Sequence, residues 1–154
     1  MTIEEAIKQK KFENAQHRAH VNLMFTANWL IDQTKAALKP FGLTPQQFNV
    51  LRILRGRHPE QCSSADIKEV MVDKGPDLTR LIDRLIVKEF VTRNVCSENR
   101  RKMDIAISEK GLELLKKLDA HLGQRFKNRS SITDAEANEL CGILDKMREN
   151  KYNN

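Results

Sequence analysis

Residues 63–107 read SSADIKEVMVDKGPDLTRLIDRLIVKEFVTRNVCSENRRKMDIAI. Ser63, with Asp66 three residues on, has the spacing of a capping box and predicts a short helix to about Val72. Asp73-Lys74-Gly75 reads as a turn, and Pro76 opens a second helix to about Lys88. Two short helices joined by a three- or four-residue turn containing Gly make a helix-turn-helix. Beyond Phe90 the period falls to two. Val91, Arg93 and Val95 alternate with Thr92, Asn94 and Cys96, and Met103, Ile105 and Ile107 alternate with Asp104 and Ala106. This predicts a β-hairpin with a polar, basic tip at 97–102. Helix, turn, helix, hairpin is a winged helix-turn-helix.

The helix after the turn divides by face at about 100° per residue. Leu78, Leu81, Ile82, Leu85 and Ile86 make one apolar stripe. Pro76, Arg80, Asp83, Arg84 and Val87 lie opposite it, and Asp77 and Thr79 flank. A stripe that packs, with a basic face at the N-terminal end, is what a major-groove helix requires. Arg80 and Arg84 can donate to guanine edges or phosphates, and Thr79 can meet a phosphate or a thymine methyl. Asp77 can accept from a cytosine amino group; equally, it can cap the helix or pair with Arg80. From Lys74 to Lys102 eight basic residues face four acidic ones, so +4 of the chain's net +6 falls in this segment. Such a concentration points to a polyanionic partner.

Outward from this centre, Thr44-Pro45-Gln46-Gln47 is a helix start with capping-box spacing, and Leu43 and Phe48 suit a hydrophobic staple around it. That helix is expected to end at Gly56. Residues 1–38 contain neither Pro nor Gly and predict a long helix, interrupted near 11–19 if at all, and ended by Pro40 and Gly42. After the hairpin, Ser108 caps a helix with the stripe Leu112, Leu115, Leu118, Leu122 and Phe126, and Thr133 and Glu136 open a last one. A three-helix winged lobe offers the leucine stripe little to pack on, so a partner chain is expected to bury it. The organisation is one continuous, mostly α domain with a small β-hairpin wing: an N-terminal helix region at 1–40, a winged lobe at 43–110 and C-terminal helices at 111–154, the terminal regions being given to dimerisation and the lobe to DNA binding by the resemblance that follows.

The stretch from Leu43 to Gly111 resembles the MarR family of bacterial transcriptional regulators. The residues that carry the likeness are LTPQQFNVLRIL, DLTRLIDRLIVKEFVTR and NRRKMDIAISEKG. The resemblance implies a homodimer whose first and last two helices form the body, with one helix of each lobe in the major groove and one wing at the minor groove. It implies a repressor released from a pseudo-palindromic operator by a small aromatic effector or by cysteine oxidation. Matched by position, Arg101 falls where the family's wing arginine enters the minor groove, and Arg100 and Lys102 flank it toward phosphates. Pro76, Asp77, Thr79 and Arg80 fall at the groove-helix positions, with Lys74 in the turn before them and Arg84 one turn on. Asn99 stands where the family usually has the Asp that orients the wing arginine, with Glu98 just before it. Phe25, Trp29, Phe41 and Phe48 cluster where relatives bind aromatic ligands.

Other chemistry has less support. At 154 residues, 40% hydrophobic and 31% charged, the chain has the content of one globular domain rather than of a disordered segment. Its longest apolar run, Val21 to Ile31, is interrupted by Asn22, Thr26 and Asn28, so no membrane partner is expected, and a cytoplasmic protein is. Cys62, Cys96 and Cys141 are odd in number and widely spaced, which fits inert thiols better than a disulfide framework. Oxidation-sensing members of the resembled family carry their cysteine in the first helix, and this one has none there. Glu13, His17 and His20 share a helix face, and His58 lies near Cys62, yet neither set has a four-ligand spacing, so no metal is expected. No nucleophile beside a base and no Gly-rich phosphate loop appears, so neither enzyme activity nor a cofactor is expected. The alternatives are a winged helix that binds another protein and a thiol-based redox regulator.

Overall fold

Polar side chains set where the helices begin. The computed structural model describes residues 1–75, 77–95, 103–127 and 131–149, residues 124–127 by their backbone. In chain order the elements are α1 (Ile3–Ile7), α2 (Ala15–Leu38), a single 3₁₀ turn (Lys39–Phe41), α3 (Pro45–Arg57), α4 (Ser64–Val70), α5 (Leu78–Val87), β1 (Val91–Val95), β2 (Met103–Ile107), α6 (Glu109–Lys127) and α7 (Asp134–Glu149). Thr44 and Ser63 close reciprocal boxes with Gln47 and Asp66 at the starts of α3 and α4. Ser108 Oγ accepts the Gly111 N–H at 3.1 Å, and Thr133 Oγ1 accepts the Glu136 N–H at 3.3 Å. Asp77 accepts from the Arg80 N–H and caps α5. Each cap satisfies a donor that the first helical turn leaves orphaned.

The helical, hairpin-bearing fold class is as expected, with shifts at the boundaries. The N-terminal helix breaks at 8–14, earlier than its composition suggests. Lys8 turns left-handed at φ 54° to end α1, and Asn14 Oδ1 accepts the His17 N–H at 2.8 Å to start α2. Gly56 lies inside α3, not at its end. Pro59 ends that helix instead, because it excludes the α region for His58, which takes ψ 135°. Asp77, not Pro76, marks the boundary of α5.

One apolar core holds the lobe. Val50, Leu51 and Leu54 of α3, Ile67 of α4, Ile82 and Leu85 of α5 and Ile105 of β2 are each 1% exposed or less. Burial of such side chains contributes roughly 1.5–3 kcal/mol apiece. β1 and β2 pair antiparallel with Val91 opposite Ile107, Arg93 opposite Ile105 and Val95 opposite Met103. On the other edge of β2, Cys62 and Ile105 exchange both backbone hydrogen bonds at 2.9 Å. The loop before α4 therefore clasps the base of the hairpin.

The joint between α5, β1 and α6 is tight. Ser108 N–H donates to the Phe90 carbonyl at 3.0 Å, and Ser108 Oγ donates to the Glu89 carbonyl at 2.6 Å. A Cβ on Gly111 would lie 2.8 Å from Ile107 Cγ1 and closer still to the Phe90 carbonyl oxygen. Glu89 itself sits left-handed at φ 63°. That conformation costs a residue with a Cβ roughly 1–2 kcal/mol. Its pair with Lys110, at 2.6 Å, is exposed and screened by water, so it returns little. Glu89→Gly is accordingly expected to raise the urea midpoint modestly; an unchanged or lowered midpoint would show that the ion pair outweighs the strain.

Within α6 the chain divides into two compact units, residues 1–115 and 116–154. Leu115, Leu118 and Leu122 are buried within the single chain and Leu112 is half-buried, so these three do not wait for a partner to cover them; the Phe126 side chain lies outside what is described. The uncovered apolar faces lie elsewhere. Along α2, Leu23, Met24, Phe25, Trp29, Leu30 and Ile31 are exposed, and only Ala37 and Leu38 are buried. On α7, Leu140, Ile143 and Met147 are about half exposed, and no α7 residue is buried.

Candidate nucleic-acid interface

α5 supplies the candidate surface. Its buried stripe of Leu78, Leu81, Ile82 and Leu85 fixes which face turns outward. On that outer face Thr79, Arg80 and Arg84 are exposed. Both alternative roles of Asp77 occur together: Oδ1 accepts the Arg80 N–H at 3.3 Å, and Oδ2 pairs with Arg80 Nε at 3.3 Å. The Arg80 side chain nonetheless stays 80% exposed, so the pair leaves its guanidinium available. An exposed pair of this kind contributes under 1 kcal/mol, which a phosphate or guanine edge can outcompete. Lys74 is exposed in the turn ahead of the helix. Pro76, Arg100, Arg101 and Lys102, with Cys96, Glu98 and Asn99, lie outside the described residues.

Four further contacts position this surface, and none of their residues stood out in the sequence as partners. Arg93 of β1 pairs with Asp83 of α5 at 2.8 Å, tying the base of the hairpin to the helix. Lys88 Nζ donates to the Gly42 carbonyl, tying the end of α5 to the corner between α2 and α3. Gln46 and Asn49 of α3 bond to Asp73 and to the Val72 N–H in the turn. All join elements distant in sequence, so no local spacing announces them.

Two cavities border that corner. One, of about 400 Å³, is walled by Gly42, Thr44 and Gln47 on one side and by Asp83, Arg84, Val87 and Lys88 on the other. The second, of about 540 Å³, lies between Lys35, Ala36 and Lys39 of the α2 end and residues 42–46. Of the four aromatics singled out in the sequence, Phe25 and Trp29 are exposed on α2, and Phe41 and Phe48 are half-buried on either side of the 42–46 segment. Arg52 lies over the Phe48 ring at 5.9 Å.

The described cysteines differ in environment. Cys62 is 3% exposed, and burial pushes its thiol above the ordinary range, which disfavours the reactive thiolate. Cys141 is exposed on α7. With iodoacetamide at neutral pH, peptide mapping should find Cys141 modified well before Cys62; equal rates would contradict the packing around Cys62. Glu13, His17 and His20 do not converge: among the described residues no three His, Cys, Asp or Glu side chains could share a metal ion. Nor, among them, is any helix long and apolar enough to cross a membrane.

A model of the MarR family matches residues 43–103. A MarR transcription factor from Planctomyces limnophilus is 32% identical, with a TM-score of 0.68 over 89% of this chain and 98% of that one. The chain belongs to the MarR family. Its members are transcription regulators, and the MarR likeness spans the terminal helices as well as the lobe. A cysteine-to-serine mutant of E. coli MarR, solved in complex with operator DNA, is 26% identical with a TM-score of 0.70, over 82% of this chain and 91% of that one. A MarR-like transcription regulator from Bacillus cereus, at 19% identity and a TM-score of 0.77, shares the fold over 88% of this chain and 96% of that one.

Proposed function

We propose that this MarR-family regulator is a homodimeric repressor that binds a pseudo-palindromic DNA site and lets go when a small effector binds. The observation that carries the reading is the outer face of α5. A fully packed stripe holds the helix while Thr79, Arg80 and Arg84 stay exposed on its other side. That is the disposition of a helix that reads base edges in the major groove. Asp77 and Lys74 belong to the same end of the helix, and by their place in the sequence Pro76 is proposed to join them and Arg100, Arg101 and Lys102 to contact the backbone and minor groove. The operator complex of the E. coli relative supports the choice of DNA over a protein partner.

The dimer reading rests on the exposed apolar faces of α2 and α7. Large side chains left at Trp29, Leu30, Ile31, Leu140 and Ile143 are costly to keep in water, and a second copy covers them. Light scattering at micromolar concentration is expected to give twice the chain mass of 17.8 kDa; a monomer there would refute the dimer. The two α5 helices of a dimer should then sit about one DNA turn apart, roughly 34 Å. The effector reading rests on the two cavities around residues 42–46, although Phe25, Trp29, Phe41 and Phe48 are not among the residues that line them. One cavity wall is α5 itself, so an occupant there would bear directly on the DNA-facing helix.

The test is a fluorescence-anisotropy titration against the DNA flanking the protein's own gene, with random duplex as control, at two salt concentrations. A site bound on the order of 10³-fold tighter than random DNA establishes sequence-specific regulation. Equal weak binding to that DNA, and to any duplex selected from a randomised pool, refutes it.

A further inference from the structure

The turn that delivers α5 is held from outside. Asn49 Oδ1 accepts the Val72 N–H at 3.1 Å. Gln46 Nε2 donates to Asp73 Oδ2 at 3.3 Å, and the other oxygen of that carboxylate, Oδ1, accepts the Gly75 N–H at 3.0 Å. Gln46 and Asn49 are three residues apart, so they lie on one face of α3. Both are half-buried, beside the fully packed Gln47 and Val50. The turn has little of its own to fix it. Met71 leaves α4 with ψ 136°, α5 starts at Leu78, and Val72, Asp73, Lys74 and Gly75 are all exposed.

We propose that Gln46 and Asn49 are positioning residues for DNA reading. Through Val72 and Asp73 they fix the turn, and so fix where Lys74 and the Asp77–Arg80 end of α5 are presented to a groove. The core holds α5 from Leu78 onward, and the exposed turn ahead of it, with Lys74, and the Asp77 cap lie beyond that packing. Hydrogen bonds to base edges fade beyond about 3.2 Å, so a shift of the leading end by an ångström removes them. Releasing the clamp therefore lowers discrimination more than it lowers stability. This inference rests on the DNA reading proposed above.

The test compares wild type, Asn49→Leu, Asn49→Asp and Gln46→Leu. Each is titrated against a duplex selected from a randomised pool by the wild-type protein and against a scrambled duplex of the same composition. Urea midpoints are measured alongside. Asn49→Leu and Gln46→Leu are each expected to cut the selected-to-scrambled affinity ratio about threefold to tenfold, the worth of one hydrogen bond. Asn49→Asp keeps an acceptor for the Val72 N–H and should hold the ratio within about twofold. Its added negative charge weakens both duplexes alike and cancels. A ratio unchanged in Asn49→Leu, or lost equally in Asn49→Asp, overturns the clamp while the wild type still discriminates. A wild type that selects no sequence overturns the DNA reading itself, and the clamp's role in it falls as well.

Discussion

Gly111→Ala is expected to destabilise the lobe by about 3 kcal/mol, and Gly111→Val to prevent cooperative folding. The added Cβ would enter the space of the Phe90 carbonyl oxygen and of Ile107 Cγ1. Neither neighbour can step aside. The Phe90 carbonyl accepts the Ser108 N–H at 3.0 Å, the Phe90 N–H donates to the Leu85 carbonyl at 3.0 Å, and Ile107 is buried opposite Val91. Overpacking a core usually costs about 1–3 kcal/mol, and a clash against fixed backbone belongs at the upper end or beyond. Gly123, on the same helix, is the control. A Cβ there meets nothing within 4 Å, so Gly123→Ala should stabilise by roughly 0.5–1 kcal/mol through helix propensity. Urea denaturation of the two variants settles the matter: if Gly111→Ala unfolds at the wild-type midpoint, the close approach of α6 to Phe90 is wrong.

Arg80→Ala should weaken binding to a selected duplex by about 1–3 kcal/mol, while leaving random duplex nearly untouched. The Arg80 side chain is 80% exposed, and its ionic partner among the described residues is Asp77. Equal loss on both duplexes would reassign Arg80 to a phosphate. Asp77→Asn separates the roles of the partner. It keeps an oxygen for the cap and removes the charge, so affinity rises if Asp77 only competes for Arg80 and falls if it accepts from a cytosine. Asp77→Ala would confuse the two, because a lost cap costs about 1 kcal/mol on its own.

Most of this fold could be read from spacing. The caps at Thr44, Ser63, Ser108 and Thr133 are local, their partners three residues away, and the hairpin's alternation is a period of two. Gly56 and Pro76 misled because a neighbour outranked each: Pro59 ended α3, and the Asp77 carboxylate took the cap of α5. The leucine stripe of α6 was legible as apolar but not as to what covers it, since periodicity reports a face and not its partner. The face of α5 that carries the candidate site was legible for the same local reason. Its support was not. Asp83 with Arg93, Lys88 with the Gly42 carbonyl, and Gln46 and Asn49 with the turn all span long sequence separations. Only the folded chain brings them together.

The clasp of Cys62 on Ile105 has a consequence for solubility. It occupies the outer edge of β2, so among the described residues β1 is left as the sheet's open border, and all but its first residue are exposed there. Such a border invites strands of other molecules. Its sequence answers that risk: Thr92, Arg93 and Asn94 put polar and charged groups along it, and it is only five residues long. Exchanging Arg93 for an apolar β-former would free Asp83 and, with it, create a sticky seam. The same residue that braces the hairpin thus guards the molecule against its own copies stacking strand to strand.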